Sequence, residues 1–259
     1  MRTIPADLKF LHCMCRIDYL ESALNEGLML TDHEVKFAPS EDRNELADLV
    51  NQVLPLIKGR LQSLGLALEA LPQDRVQVLF SGIGNMSGRV PMLCLTEVPP
   101  GRNIESHRYV FGSYGIVLKP EWVAKNGADR VIYVGHNSPA SQQLFVCLAT
   151  MKILGLFVDK NGTLLFGNES IRPALNLLSF IEVRDHLLEA EWRIAGNSGF
   201  MGGHRATGTR LPLNLCDVEY IFVPNHDEVA RITNVVEQVA LRKNSATKPI
   251  IMEFPECIP

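Results

Sequence analysis

The order of elements in this chain predicts an α+β fold: a single domain over residues 1–259, with a mixed or antiparallel split sheet and a helical insertion or lid at 41–71. Three observations lead there. Apolar runs of strand length outnumber helical stretches, the two kinds follow one another irregularly, and 46% of the 259 residues are apolar, ample for a sizeable core. There is no internal repeat, linker or low-complexity tract.

Residues 9–15 (KFLHCMC) read as the first strand. A helix follows, with Asp18 and Glu21 at capping-box spacing, Tyr19-Leu20 and Ala23-Leu24 recurring along it, and Gly27 as its stop. Helical spacing also marks 41–71, where Pro55 and Gly59 kink or split the pattern. Residues 76–80 and 91–96 read as strands around a glycine-rich loop at 81–89. Its glycines lack dinucleotide-binding spacing, and a strand follows where that fold needs a helix N-terminus at the phosphates. Further on come a strand at 114–118, a short helix at 120–125 stopped by Gly127, and a buried strand at 130–134. Ser138 caps a helix that starts with Pro139 and reaches Leu154. A hairpin at 156–166 turns on Lys160-Asn161-Gly162; strands at 179–183, 190–195 and 217–223 and a helix at 227–241 complete the series. Residues 195–210 are glycine-rich and basic and read as a mobile loop.

The formal net charge of −4 leaves no overall basic footprint for phosphate neutralisation. Six scattered cysteines and an N-terminus without an apolar run point to a reducing cytoplasm, with the thiols as core residues and no disulfides. No apolar run approaches the roughly 20 residues of a membrane-spanning helix. Metal-binding and serine-nucleophile motifs are missing, so a nuclease reading lacks its carboxylate cluster.

The most informative run is Glu189-Ala190-Glu191-Trp192-Arg193-Ile194-Ala195. As a strand it puts Glu189, Glu191 and Arg193 on one face and Ala190, Trp192 and Ile194 on the other. Adjacent carboxylates need compensation, either from Arg193 or from a ligand that becomes cationic during reaction. His12, inside the first strand, reads as a hydrogen-bonded core residue or as a functional one. Residues 105–115 bring His107, Arg108, Tyr109 and Tyr114 together with two glycines. They fit a surface that stacks a flat cationic ring, or a turn over packed aromatics.

The motifs Pro91 to Pro99 (PMLCLTEVP), His107, Tyr114 to Trp122 (YGIVLKPEW), Arg130 to Val134 (RVIYV) and Glu189 to Ile194 (EAEWRI) resemble the abortive-infection phage-resistance family AbiGi over roughly residues 9–225. That resemblance implies the antitoxin half of a phage-defence pair, with a cognate toxin or defence protein as partner. Phe10-Leu11-His12 followed by Tyr19 to Leu28 is similar to the first strand and helix of ADP-ribosyltransferase-like folds. This second resemblance implies NAD as substrate, with Glu191 and Glu189 catalytic, His12 at the first binding position and Tyr114 or Tyr109 at the second; His107 and Arg108 join the candidate dinucleotide-binding residues by residue type and charge alone.

In such chemistry positive charge develops on the ribose carbon as nicotinamide leaves, and Glu191 would stabilise it. Glu189 would orient or deprotonate an acceptor, whose identity as DNA, RNA, protein or small molecule stays open. Two functions follow. One is ADP-ribose transfer in phage defence; the alternative is a non-catalytic antitoxin or regulator in which Glu191 and Arg193 form a structural ion pair.

Overall fold

The computed structural model describes residues 4–5, 7–36, 87–136, 138–153, 177–183, 190–196 and 205–259, with isolated positions between 48 and 65. These residues form the α+β class that the sequence predicts, with a mixed sheet. Apart from those isolated positions, the expected helical segment at 41–71 lies outside the described residues, as do the strand at 76–80, the hairpin at 156–166, Glu189 and most of the glycine-rich loop.

The chain opens with β1 (Lys9–Met14), α1 (Ile17–Glu26), β2 (Leu28–Met29), β3 (Thr31–Lys36) and β4 (Ser87–Val98). Then come α2 (Glu105–Phe111), β5 (Tyr114–Leu118), α3 (Pro120–Lys125), β6 (Asp129–Arg130), β7 (Ile132–Val134), α4 (Pro139–Ile153) and β8 (Ile181–Val183). The described elements end with β9 (Glu191–Ala195), β10 (Arg210–Leu211), a 3-10 turn (Leu215–Asp217), β11 (Val218–Val223), α5 (His226–Lys243) and β12 (Ile250–Glu253). Two compact units divide the chain: Met1–Thr31, Pro91–Arg130 and Leu188–Pro259 make one, Asp32–Val90 and Val131–Leu187 the other.

In the first unit the strand order is β12-β11-β5-β1-β4-β9-β6, antiparallel throughout except for the parallel β11–β12 edge. Period-two alternation sorts the side chains between two cores. Phe10, Leu93, Leu95, Ile116, Leu118, Trp192 and Ile194 face one way, against Leu20 and Leu24 of α1, Trp122 of α3 and Ile232, Val236 and Val239 of α5. Leu11, Val117 and Phe222 face the other way, against Ile104 and the C-terminal Phe254 and Ile258. All five residues of β5 are buried, which suits a central strand covered on both sides.

Helix α5 carries its apolar stripe at Ile232, Val236 and Val239. The Asn225 side chain caps its first turn by accepting from the Glu228 amide at 3.2 Å, and Asn244 ends it in the left-handed region. The expected capping box on α1 does not form. That helix begins two residues earlier, with Arg16 at the cap position, so Asp18 pairs instead with the Arg16 guanidinium at 2.6 Å and Glu21 with Arg231 at 2.7 Å. The real capping box is at Asn214 and Asp217, on the 3-10 turn.

In the second unit β7 pairs in parallel with β8, and the Ile132 amide donates to Phe180 at 2.7 Å. The Ser138 hydroxyl accepts from the Ser141 amide at 3.2 Å, so the expected cap on α4 is present. The strand predicted at 130–134 is two short strands in two sheets, with Asp129, Arg130 and Ile132 exposed rather than buried.

Gly112, between α2 and β5, has φ of 123°, and a Cβ there would overlap the Met14 carbonyl and the Cys15 amide. Gly101 also has positive φ, 76°, but open space around it. Gly112→Ala is expected to cost about 2 kcal/mol or more by urea unfolding, because backbone overlap adds to strain; Gly101→Ala should cost only the strain, about 1 kcal/mol.

Candidate functional site

Strand β9 lies between β4 and β6, and its register decides what its charged residues can do. Glu191 is opposite Thr96 and Arg193 opposite Cys94, on the sheet face shared by Leu11, whose partner on β4 is also Thr96. Trp192, opposite Leu95 on β4 and Arg130 on β6, points to the other face. Arg193 grips Glu191 through two donors, Nε to Oε1 at 2.8 Å and a terminal nitrogen to Oε2 at 3.1 Å. Both side chains are withdrawn from solvent, at 6% and 13% exposure. The compensation that the strand pattern demanded therefore comes from within the strand.

His12 immediately follows Leu11 and so takes the opposite face from Glu191. Its Nδ1 lies 2.9 Å from the Cys94 carbonyl, just past the last β1–β4 register pair at Leu11 and Thr96. A carbonyl only accepts, so the ring carries its proton on Nδ1 there. The imidazole thus bridges the two strands where their ladder stops. It does not share a groove with Glu191.

A second carboxylate, absent from the sequence-based site, organises the Trp192 face. Glu97 is buried on β4, and its carboxylate accepts from the Trp192 indole at 2.6 Å and from Arg130 Nε and Nη2 at 3.0 and 2.6 Å. The Arg130 guanidinium also lies over the Trp192 ring, 5.6 Å from its centroid, while Phe10 meets that ring edge-on at 5.1 Å. The Glu97 amide donates to Ala190 at 2.8 Å, and its carbonyl accepts from Arg102 at 3.1 Å. One signal could have exposed it. In MLCLTEV an acid occupies the same alternate face as Leu93 and Leu95, and an acid on a core face needs a buried cation or donor.

The residues expected to bind a dinucleotide are spread over β1, α2 and β5. The predicted turn or stacking surface at 105–115 is a helix over 105–111 running into β5, and the helix has inverted polarity: His107 is buried, while Tyr109, Val110 and Phe111 are exposed. Arg108 donates to the Pro224 carbonyl at 3.2 Å. The Tyr114 hydroxyl donates to Glu228 Oε1 at 3.1 Å, and burial, then that bond, push its pKa up to about 12. None of the six cysteines is fully buried: three are exposed and three half-buried, and Cys13, which packs against the second core, has its thiol pushed up to about 12 by desolvation.

A family model matches residues 82–215, more than half the chain, and the strands carrying Glu97, Arg130 and Trp192 fall inside it. The chain belongs to the AbiGi family. That family is described as an abortive phage resistance protein and antitoxin. No curated protein and no solved structure matches this AbiGi chain. Among the described residues, no helix is long and apolar enough to cross a membrane.

His107 gives this AbiGi chain a pH dependence. Neither ring nitrogen has a hydrogen-bond partner, and burial, reinforced by the Arg102 guanidinium, lowers its pKa below 6.5, an effect that the nearby Ile104 backbone offsets only in part. The unfolded chain therefore binds a proton at a pH where the folded chain does not. This contribution is complete above about 6.5 and is lost as the pH falls from there toward the lower folded-state value. Urea midpoints at about pH 7.5 and 5.5 should differ more for the native protein than for His107→Met.

Proposed function

We propose that this chain is the non-catalytic antitoxin of a phage-defence pair and acts by binding a cognate toxin. One observation carries the reading: the acid that catalysis would require, Glu191, is held by Arg193 on the sheet face opposite His12. Charge stabilisation at a reacting sugar needs a carboxylate aimed at open space, with its binding groups converging on the same groove. Here Glu191 neutralises its neighbour two residues away, and His12 spends Nδ1 on a strand carbonyl. The family description gives the class of partner, a toxin, which fits a protein whose charged strand residues serve its own sheet.

Growth rescue on co-expression with the cognate toxin tests this reading. Glu191→Gln is expected to lower the amount of folded protein while rescue per folded molecule stays within about two-fold of the native level, as for a residue outside the binding surface. Purified protein should release no nicotinamide from NAD. Nicotinamide release that disappears in a folded Glu191→Gln variant would overturn the proposal.

A further inference from the structure

We propose that helix α2 is the surface that docks onto the toxin, and that its occupant presents an apolar cleft bordered by lysine or arginine; this rests on the antitoxin reading above. A surface helix ordinarily buries its apolar stripe and shows polar residues to water. Helix α2 does the reverse. Its buried residue is His107, whereas Tyr109, Val110 and Phe111 are 76%, 69% and 43% exposed. Tyrosine and phenylalanine contribute large, stiff contact area, and the three exposed apolar residues fan over about 200° of the last turn of α2, a breadth of apolar surface that scattered single residues do not give.

The helix is fixed at both ends, so the patch is presented preformed. Before its first turn, the Ile104 amide donates to Glu256 at 2.7 Å and Asn103 bridges Cys257. At its far end Gly112 packs directly on the Met14–Cys15 backbone.

The chemistry of the occupant follows from the rim. Glu256 adjoins the start of α2 through the Ile104 bond, next to Glu105. Asp227 follows Pro224, whose carbonyl holds Arg108, and Glu253 precedes Phe254, which is bonded to Val223. These four acids are exposed. Arg16 and Arg231 are each cancelled by an acid, Asp18 or Glu21, which leaves half-buried Arg102 and Arg108 as two positive charges against these four acids. The border of the patch is therefore net acidic, and its complement is a basic protein surface.

The test is binding of the separately purified cognate toxin to the full chain. Tyr109→Ser with Phe111→Ser should keep the native circular dichroism and weaken binding about ten-fold or more, because exposed aromatics of this kind dominate interfaces. Glu105→Lys with Asp227→Lys should slow association and flatten its salt dependence. Leu241→Ser, at the opposite end of α5, should change neither. If the native chain binds the toxin and the double serine variant binds equally well, this surface assignment is overturned while the antitoxin reading stands. If the native chain neither binds nor neutralises the toxin, both fall. Self-association that is lost in the double serine variant, without toxin binding, would assign the patch to a second copy and overturn the proposal.

Discussion

The pleat of β9 is the constraint on which the rest depends. Five residues, bonded to β4 on one side and to β6 on the other, must alternate between two faces, and that alternation assigns a different task to each charged side chain nearby. Glu191 and Arg193 fall together on one face and neutralise each other. Trp192 falls on the other, where its indole N–H needs an acceptor because it is buried. Glu97 supplies that acceptor, and Arg130 closes the cluster from β6.

Such clusters are costly to assemble. A buried carboxylate loses its hydration and regains it only through well-placed donors and a cation. Glu97 has an indole and a guanidinium on its two oxygens, and the guanidinium is itself half exposed, which keeps its own desolvation small. The arrangement ties β4, β6 and β9 into one register, because slipping β9 by one residue would turn Trp192 onto the face of Leu11, away from Glu97, and bring Glu191 against Phe10 and Leu95. The acids of this region are explained by the demands of the sheet before any ligand is invoked.

Strong local patterns in the sequence reported the fold well. Residues 114–118 and 120–125 have the bounds expected of them, and the glycine after α1 ends that helix. Errors arose where tertiary partners override local signals. The Asp18–Glu21 spacing resembles a cap, yet Arg16 and Arg231 claim both acids. Residues 130–134 read as one strand because nothing local marks the change of sheet after Arg130. Strand β12 escaped notice because its pairing with β11 spans the whole of α5. For the site, the strand alternation correctly grouped Glu191 with Arg193, but His12 was paired with Glu191 by analogy alone; only the Leu11–Thr96–Glu191 register, invisible in one dimension, separates them.

Together these features describe a scaffold whose ionic interior sets strand register and whose exposed aromatic helix faces outward. Within that interior Glu191 and Arg193 act as one structural unit. A double-mutant cycle of Glu191→Gln, Arg193→Met and the pair tests it most directly, read as unfolding free energy. Coupling of about 1–3 kcal/mol is expected, with the double variant close in stability to the worse single one. Additive effects within about 0.5 kcal/mol would contradict it, because the carboxylate would then owe its place to something other than its arginine neighbour.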